Sequence, residues 1–388
     1  MKRRDFCRQA VLLGGAVALS PLMKGCSPAE ELASATAQQP TALPPIPTAT
    51  DAPTRPSPTA MPASPTTQPT AAPTDAAPTA TPEAEPTLLP AMGTVALVRT
   101  LDRAYGVQRA VRLLGVNPLR GNRVLLKPNY NSADPAPSST HLDILRALVL
   151  EMEGMGARSI TLGERSGMGD TRAVLSETGV YGLARELGFA TILFNEMDEK
   201  EWVSQQSTEY HWESGFAVPK ILLDSECVVQ TCNLKTHGYG GHFTMSLKNS
   251  VGFVPRTLVS GGYNFMTELH ASPYQREMIA EINMVYQPSL IVMDGVKAFV
   301  DGGPAQGTVV TPGVVLASQD RLAIDAVGVA ILRLFGTIPE VSQGRIFAQT
   351  QLARAAELGL GVTGPEQIQI VTEDAESEAF AGLVRRLL

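Results

Sequence analysis

Two short runs, Cys227 to Thr231 and Leu290 to Met293, are apolar without alternation, and they restrict the fold more than any other feature. A strand that is apolar on both sides has to be covered on both sides, which is the situation of a central strand in a parallel sheet. The surrounding chain alternates accordingly. Thr94 to Arg99, Arg123 to Lys127, Ser159 to Leu162, Ala190 to Phe194 and Gln367 to Val371 read as strands. Leu142 to Met155, Val180 to Leu187, Arg321 to Leu334 and the tail from Ala379 carry apolar residues at helical spacing. The expectation is an α/β domain over residues 93–388, with a largely parallel or mixed sheet and helices on both faces. Residues 198–220 and 254–274 show no period. Long irregular connections of this kind are often binding loops, and the second one begins where it could cover a site.

The first 92 residues have a different character. Arg3-Arg4-Asp5-Phe6 followed by an apolar segment from Ala10 to Leu22 matches a twin-arginine export signal, residues 1–26, read by the twin-arginine export machinery. Cys26 follows Met23-Lys24-Gly25, an incomplete lipobox, so the exported product is either lipid-tethered at Cys26 or freely secreted. Residues 27–92 hold 16 of the 29 prolines, mixed with Thr, Ala and Ser. Such a composition cannot bury enough apolar surface to offset its ordering entropy, so a disordered spacer is expected. At roughly 3 Å per residue it would reach on the order of 200 Å when extended.

The chain carries a net charge of −7, and beyond residue 92 it has 25 basic against 31 acidic residues. With no basic run in that part, nucleic acid is not an expected partner. Cys227 and Cys232 are the cysteines left beyond the signal and Cys26. On one strand they would point to opposite sides, about 16 Å apart, beyond disulfide reach. Two cysteines cannot hold a cubane cluster, so no iron–sulfur centre is expected.

The candidate chemistry gathers in three places. Lys127-Pro128-Asn129 follows a strand. Lys235 and His237 end the Cys227 run, two apart and so on one face if extended. A glycine-rich turn and a probable helix then bring His242, Lys248 and Asn249. Strand ends of this kind are where α/β proteins place ligands. Several lysines in one cleft would repel unless an anion neutralises them, which makes an anionic small molecule the natural ligand. Each of these residues also has a plain structural alternative, as a solvated strand edge or a local cap. The spacing of Cys227, Cys232, His237 and His242 invites a zinc reading, although paired cysteines on a strand do not suit one. A divalent metal on His237 with His242, His141 or an aspartate is left open. Asp294 is read as ending the LIVMD strand. Asp325 lies in an apolar helix and needs a partner, either a lysine of the cluster or a metal. Asp320, at the start of that helix, reads as a cap. GERSGMGD at residues 163–170 is a weak phosphate-loop candidate and more plausibly a turn.

Lys127-Pro128-Asn129, then LKTH at 234–237, then SLKN-x-x-G at 246–252 resemble the motifs of the bacterial and archaeal family called domain of unknown function 362. The resemblance covers most of residues 95–335. It implies an α/β fold and a cleft, with Lys127, Asn129, Lys235, His237, Lys248 and Asn249 in it and Asp294 and Asp325 among its positions, but no defined reaction. Some relatives carry a cysteine-rich ferredoxin-like segment that this chain lacks. The resulting expectation is an exported enzyme acting on an anionic small molecule, with Lys235, His237, Lys248 and Asp294 in catalytic roles and Lys127, Asn129, Asn249 and Asp325 binding ligand. The alternatives are a tethered solute-binding protein and a surface scaffold.

Overall fold

The structure, a computed structural model, describes residues 92–240, 242–258 and 262–388. The stretches read as an export signal, a lipobox at Cys26 and a disordered spacer lie outside the described residues. A mixed sheet runs in the order Ile368–Val371, Gly93–Arg99, Val314–Ser318, Pro288–Phe299, Cys227–His237, Arg123–Lys127, Ser159–Glu164, Ala190–Leu193. Along this path every neighbouring pair is parallel except the two made by Val314–Ser318. The expected α/β fold is therefore present, with one antiparallel insertion.

Alternate residues of each strand supply the two faces, as the period of two requires. Val95, Leu97, Met293 and Leu316 pack with the Arg321–Leu334 helix. Ala96, Val98, Val124 and Leu126 pack with the helices Arg103–Leu114 and Leu142–Gly154 on the other side. The two central strands are longer than their apolar runs suggest. The first continues through Asn233, Lys235 and His237, and all eleven of its residues are buried. The second continues from Asp294 through Gly295 to Phe299. Cys227 and Cys232 are both free thiols on the first of these strands, as expected from their spacing.

Sequence order and spatial order diverge at one point. After Arg123–Lys127 the chain moves outward to Ser159–Glu164 and Ala190–Leu193. It then returns to place Cys227–His237 on the opposite flank of Arg123–Lys127. Two parallel strands whose connections leave in opposite directions open a crevice at their carboxyl ends. Lys127, the last residue of one strand, and Lys235 and His237, at the end of the other, stand at that crevice.

Candidate functional site

The crevice is a cavity of about 460 Å³, within the range that holds a small organic ligand. Lys127, Asn129, Lys235, His237, Lys248 and Asn249 all line it. The structure thus gathers six of the residues singled out above. It also adds Glu164 and Arg165 from the GERSGMGD stretch, and Arg256 and Tyr239, which the sequence does not single out.

The short helix Met245–Asn249 carries Lys248 and Asn249 into the wall. Its position is set from the buried helix behind it. Asp325 is fully buried and accepts hydrogen bonds from the Ser246 and Leu247 amides at 2.8 and 2.9 Å. One turn on, Gly328 leaves the space that Met245 fills, since a Cβ there would meet the Met245 sulfur at 2.5 Å. Met245 itself sits at φ 61°, a conformation a side-chain-bearing residue adopts only when its surroundings impose it. Burial raises Asp325 to about 7, partly offset by its two amide donors. The partner that a carboxylate in an apolar helix needs is here a pair of backbone amides rather than a lysine of the cluster. Asp325 thus positions Lys248 and Asn249 and does not line the cleft.

Asn249 donates to the carbonyls of Lys127 and Thr231 at 3.3 Å each, fastening the helix to the strands Arg123–Lys127 and Cys227–His237. Asn129 lies between them and accepts from Lys235 Nζ at 3.0 Å. Lys235 also donates to the Ser138 carbonyl. Lys127 is committed differently: its ammonium pairs with Glu164 at 2.5 Å, both side chains being almost completely buried. Glu164 further accepts the Tyr130 and Arg165 amides at 2.9 Å each. Gly252, which closes the SLKN-x-x-G motif, is where this pair packs, because a Cβ would lie 2.7 Å from Lys127 Nζ.

The Lys248 ammonium has no hydrogen-bond or ion-pair partner among the described residues. Burial, and then the neighbouring Arg165 guanidinium, lower it to about 8. Lys235 is lowered to about 7 by burial and then by Lys248. Arg165 is buried, donates to the Val251 carbonyl at 2.9 Å, and is lowered to about 10 by burial. His237 is held neutral, well below the usual imidazole range, by burial and then by the charges of Lys248 and Lys235. Its Nδ1 accepts the Tyr239 amide at 3.2 Å, so in the neutral ring the proton is on Nε2. His237 is therefore set up to donate a hydrogen bond rather than to take a proton. Tyr130 Oη, Thr244 Oγ1 and Arg165 Nε belong to lining residues and are buried without a partner among the described residues. Among the described lining residues, Glu164 is the only carboxylate, set against Lys127, Arg165, Lys235, Lys248 and Arg256. Such a wall suits a ligand that brings negative charge and hydrogen-bond acceptors.

Three expected site residues stand elsewhere. Asp294 is within its strand rather than at the end, on the face that carries Leu290 and Val292. There it pairs with Arg103 at 2.8 Å and accepts the Val296 amide at 2.9 Å. His242 is in the ladder opposite His237 but outside the Met245–Asn249 helix, at φ 56° and with Arg276, Glu340 and Gln349 around its ring. Among the described residues no three His, Cys, Asp or Glu side chains form a metal-holding group, so His237 and His242 are not joined in one. His141 caps the Leu142–Gly154 helix. Asp320 caps the Arg321–Leu334 helix, as its position suggests. The GERSGMGD stretch is more than a turn, since Glu164, Arg165, Gly167 and Met168 line the cavity. The described part of 254–274 also lines it, through Arg256, Asn264, Met266, Thr267 and His270.

Comparison with known proteins agrees with the motifs. The family model described as "Domain of unknown function (DUF362)" matches residues 124–330, just over half of the 388-residue chain. That span contains the six gathered lining residues. A thylakoid-associated protein of Synechocystis sp. is 26% identical over 256 residues, covering 64% of this chain and 75% of that protein. No helix among the described residues is long and apolar enough to cross a membrane.

Proposed function

Given that this chain belongs to the domain of unknown function 362 family, we propose that its cleft binds a small, multiply charged organic anion and that Lys248 is the group that exchanges a proton with it. The observation that carries the reading is the state of Lys248. It is a buried amine without a protein partner, set between two cations that the protein has already tied to its own carbonyls. A buried charge without a partner is costly, and an anionic ligand supplies the missing partner. An amine held near 8 is also poised to move a proton at neutral pH. Lys235 and Arg165 would fix the anion, His237 Nε2 and Asn129 would orient it, and Asp325 would hold Lys248 in place.

His237 is oriented as a donor, which leaves Lys248 as the proton-moving group and gives the solute-binding reading some weight. Thermal shift and calorimetry with phosphate, citrate, oxalate and 2-oxoglutarate test the binding claim. At least one should raise the melting temperature of the wild-type protein and leave that of Lys248→Met unmoved. Equal response of both proteins would sink the reading. Turnover of the bound anion, followed by NMR, separates an enzyme from a receptor.

Export by the twin-arginine route, with attachment at Cys26 through the proline-rich spacer, is part of the same proposal. The name of the Synechocystis relative supports a membrane-associated setting. Incorporation of labelled palmitate that is lost in Cys26→Ser would support the tether. Wild-type protein without label would point to free secretion.

A further inference from the structure

We infer that the anion received by this cleft carries an aromatic body, and that Tyr239 selects for it. The inference rests on the anion-binding reading and adds the class of molecule to it. The cavity is graded from bottom to mouth. Lys235 is fully buried and Asn249 and Lys248 nearly so, whereas Tyr239 is 62% exposed and Met168 47% exposed. Lys127, Lys235, Lys248 and Arg165 therefore lie deep, whereas Tyr239 and Met168 stand at the opening together with the exposed Arg256. Met266, Val251 and Pro304 continue the uncharged lining. A volume of about 460 Å³ exceeds what a bare inorganic anion fills, so a ligand that reaches the lysines has a second part lying against these side chains.

Tyr239 is held rather than free. Its amide donates to His237 Nδ1 at 3.2 Å, and its ring stands edge-on to the imidazole at 5.8 Å between centroids. The same hydrogen bond that leaves the His237 proton on Nε2 thus fixes the backbone that carries the aromatic side chain at the mouth. A preset aromatic ring, in a lining that also carries the thioethers of Met168 and Met266, favours a planar, polarisable partner over a flexible alkyl chain.

Calorimetry on the full-length chain with two matched pairs, methyl and phenyl phosphate, and acetate and benzoate, provides the test. For whichever head group binds, the aryl member should bind about tenfold more tightly or better. Tyr239→Ala should bring the aryl affinity close to that of its methyl counterpart. Lys248→Met should weaken both members of a pair by a similar factor. Members of a pair binding within about twofold of each other, with both lost in Lys248→Met, would overturn the aromatic body while leaving the anion site standing. An aryl preference unchanged in Tyr239→Ala would overturn the role of Tyr239. Absence of binding by all four compounds in a protein that binds citrate, oxalate or 2-oxoglutarate would overturn the inference and leave the anion site standing. Tyr239 is exposed, so its replacement should leave the melting temperature near that of the wild type, and the same samples check this.

Discussion

Lys127 and Lys248 stand on the same wall of one cavity, and both are almost removed from solvent. The protein neutralises Lys127 with Glu164, whose carboxylate is further held by two backbone amides. It gives Lys248 no such partner and surrounds it with Arg165 and Lys235. The difference separates a charge used to build the cleft from a charge kept for something the cleft receives. Burial by itself does not distinguish the two, and neither does the identity of the residue. What decides is where the nearest carboxylate is and whether it is already engaged.

Breaking the satisfied pair should have the largest effect. Glu164→Gln leaves a buried ammonium without its counter-ion and should cost about 3–5 kcal/mol in urea denaturation. A loss below about 1 kcal/mol would mean that Lys127 is not held as described. Asp325→Ala should come next, at about 2–4 kcal/mol, because two buried amides lose their acceptor. It should also weaken anion binding, although Asp325 touches no ligand, since the Lys248 helix loses its seat. Asp294→Asn separates site from scaffold in the opposite sense. It pairs with Arg103 and does not line the cavity, which predicts a stability loss with anion affinity unchanged.

Lys248→Met should have the smallest effect on stability, and of opposite sign. Removing an unpaired buried charge should stabilise the protein by on the order of 1 kcal/mol while binding is lost. The same contrast governs pH. Lys235 and Lys248 have folded values near 7 and 8, below their ordinary 10.5, so the unfolded chain binds more protons than the native one between about pH 7 and 10.5. Stability of the ligand-free protein should therefore rise with pH through that window, and less steeply in Lys248→Met. A melting temperature that falls over that range in wild type but not in Lys248→Met would show the lysine to be stabilised rather than penalised by its site.

Much of this was legible in the sequence because it is local. The alternation of apolar runs and helical periods gives the α/β fold, and strand ends carrying Lys127 and Lys235 lie near ligands by the rule of parallel sheets. The failures come from strands that outlast their apolar run. Gly295 after Asp294 reads as a strand end, yet the ladder continues to Phe299, and this turns Asp294 toward Arg103. Likewise the helix expected to follow the glycine-rich turn starts only at Met245, leaving His242 in a ladder. Glu164 as the partner of Lys127, and Arg165 beside Lys248, are juxtapositions across the sheet that no spacing within the chain announces. Asp325 was rightly read as needing a partner, but which partner depended on the short helix Met245–Asn249 seated over Gly328.

The most direct test of the central claim is proton uptake on anion binding, measured by calorimetry near pH 8 in buffers of different ionisation enthalpy. If Lys248 is the unpaired amine that an anion completes, wild-type protein takes up close to half a proton or more at that pH as its lysine becomes charged. Lys248→Arg, charged throughout, should still bind and take up clearly less. Binding with no proton uptake in the wild type, or with the same uptake in both proteins, would contradict the account.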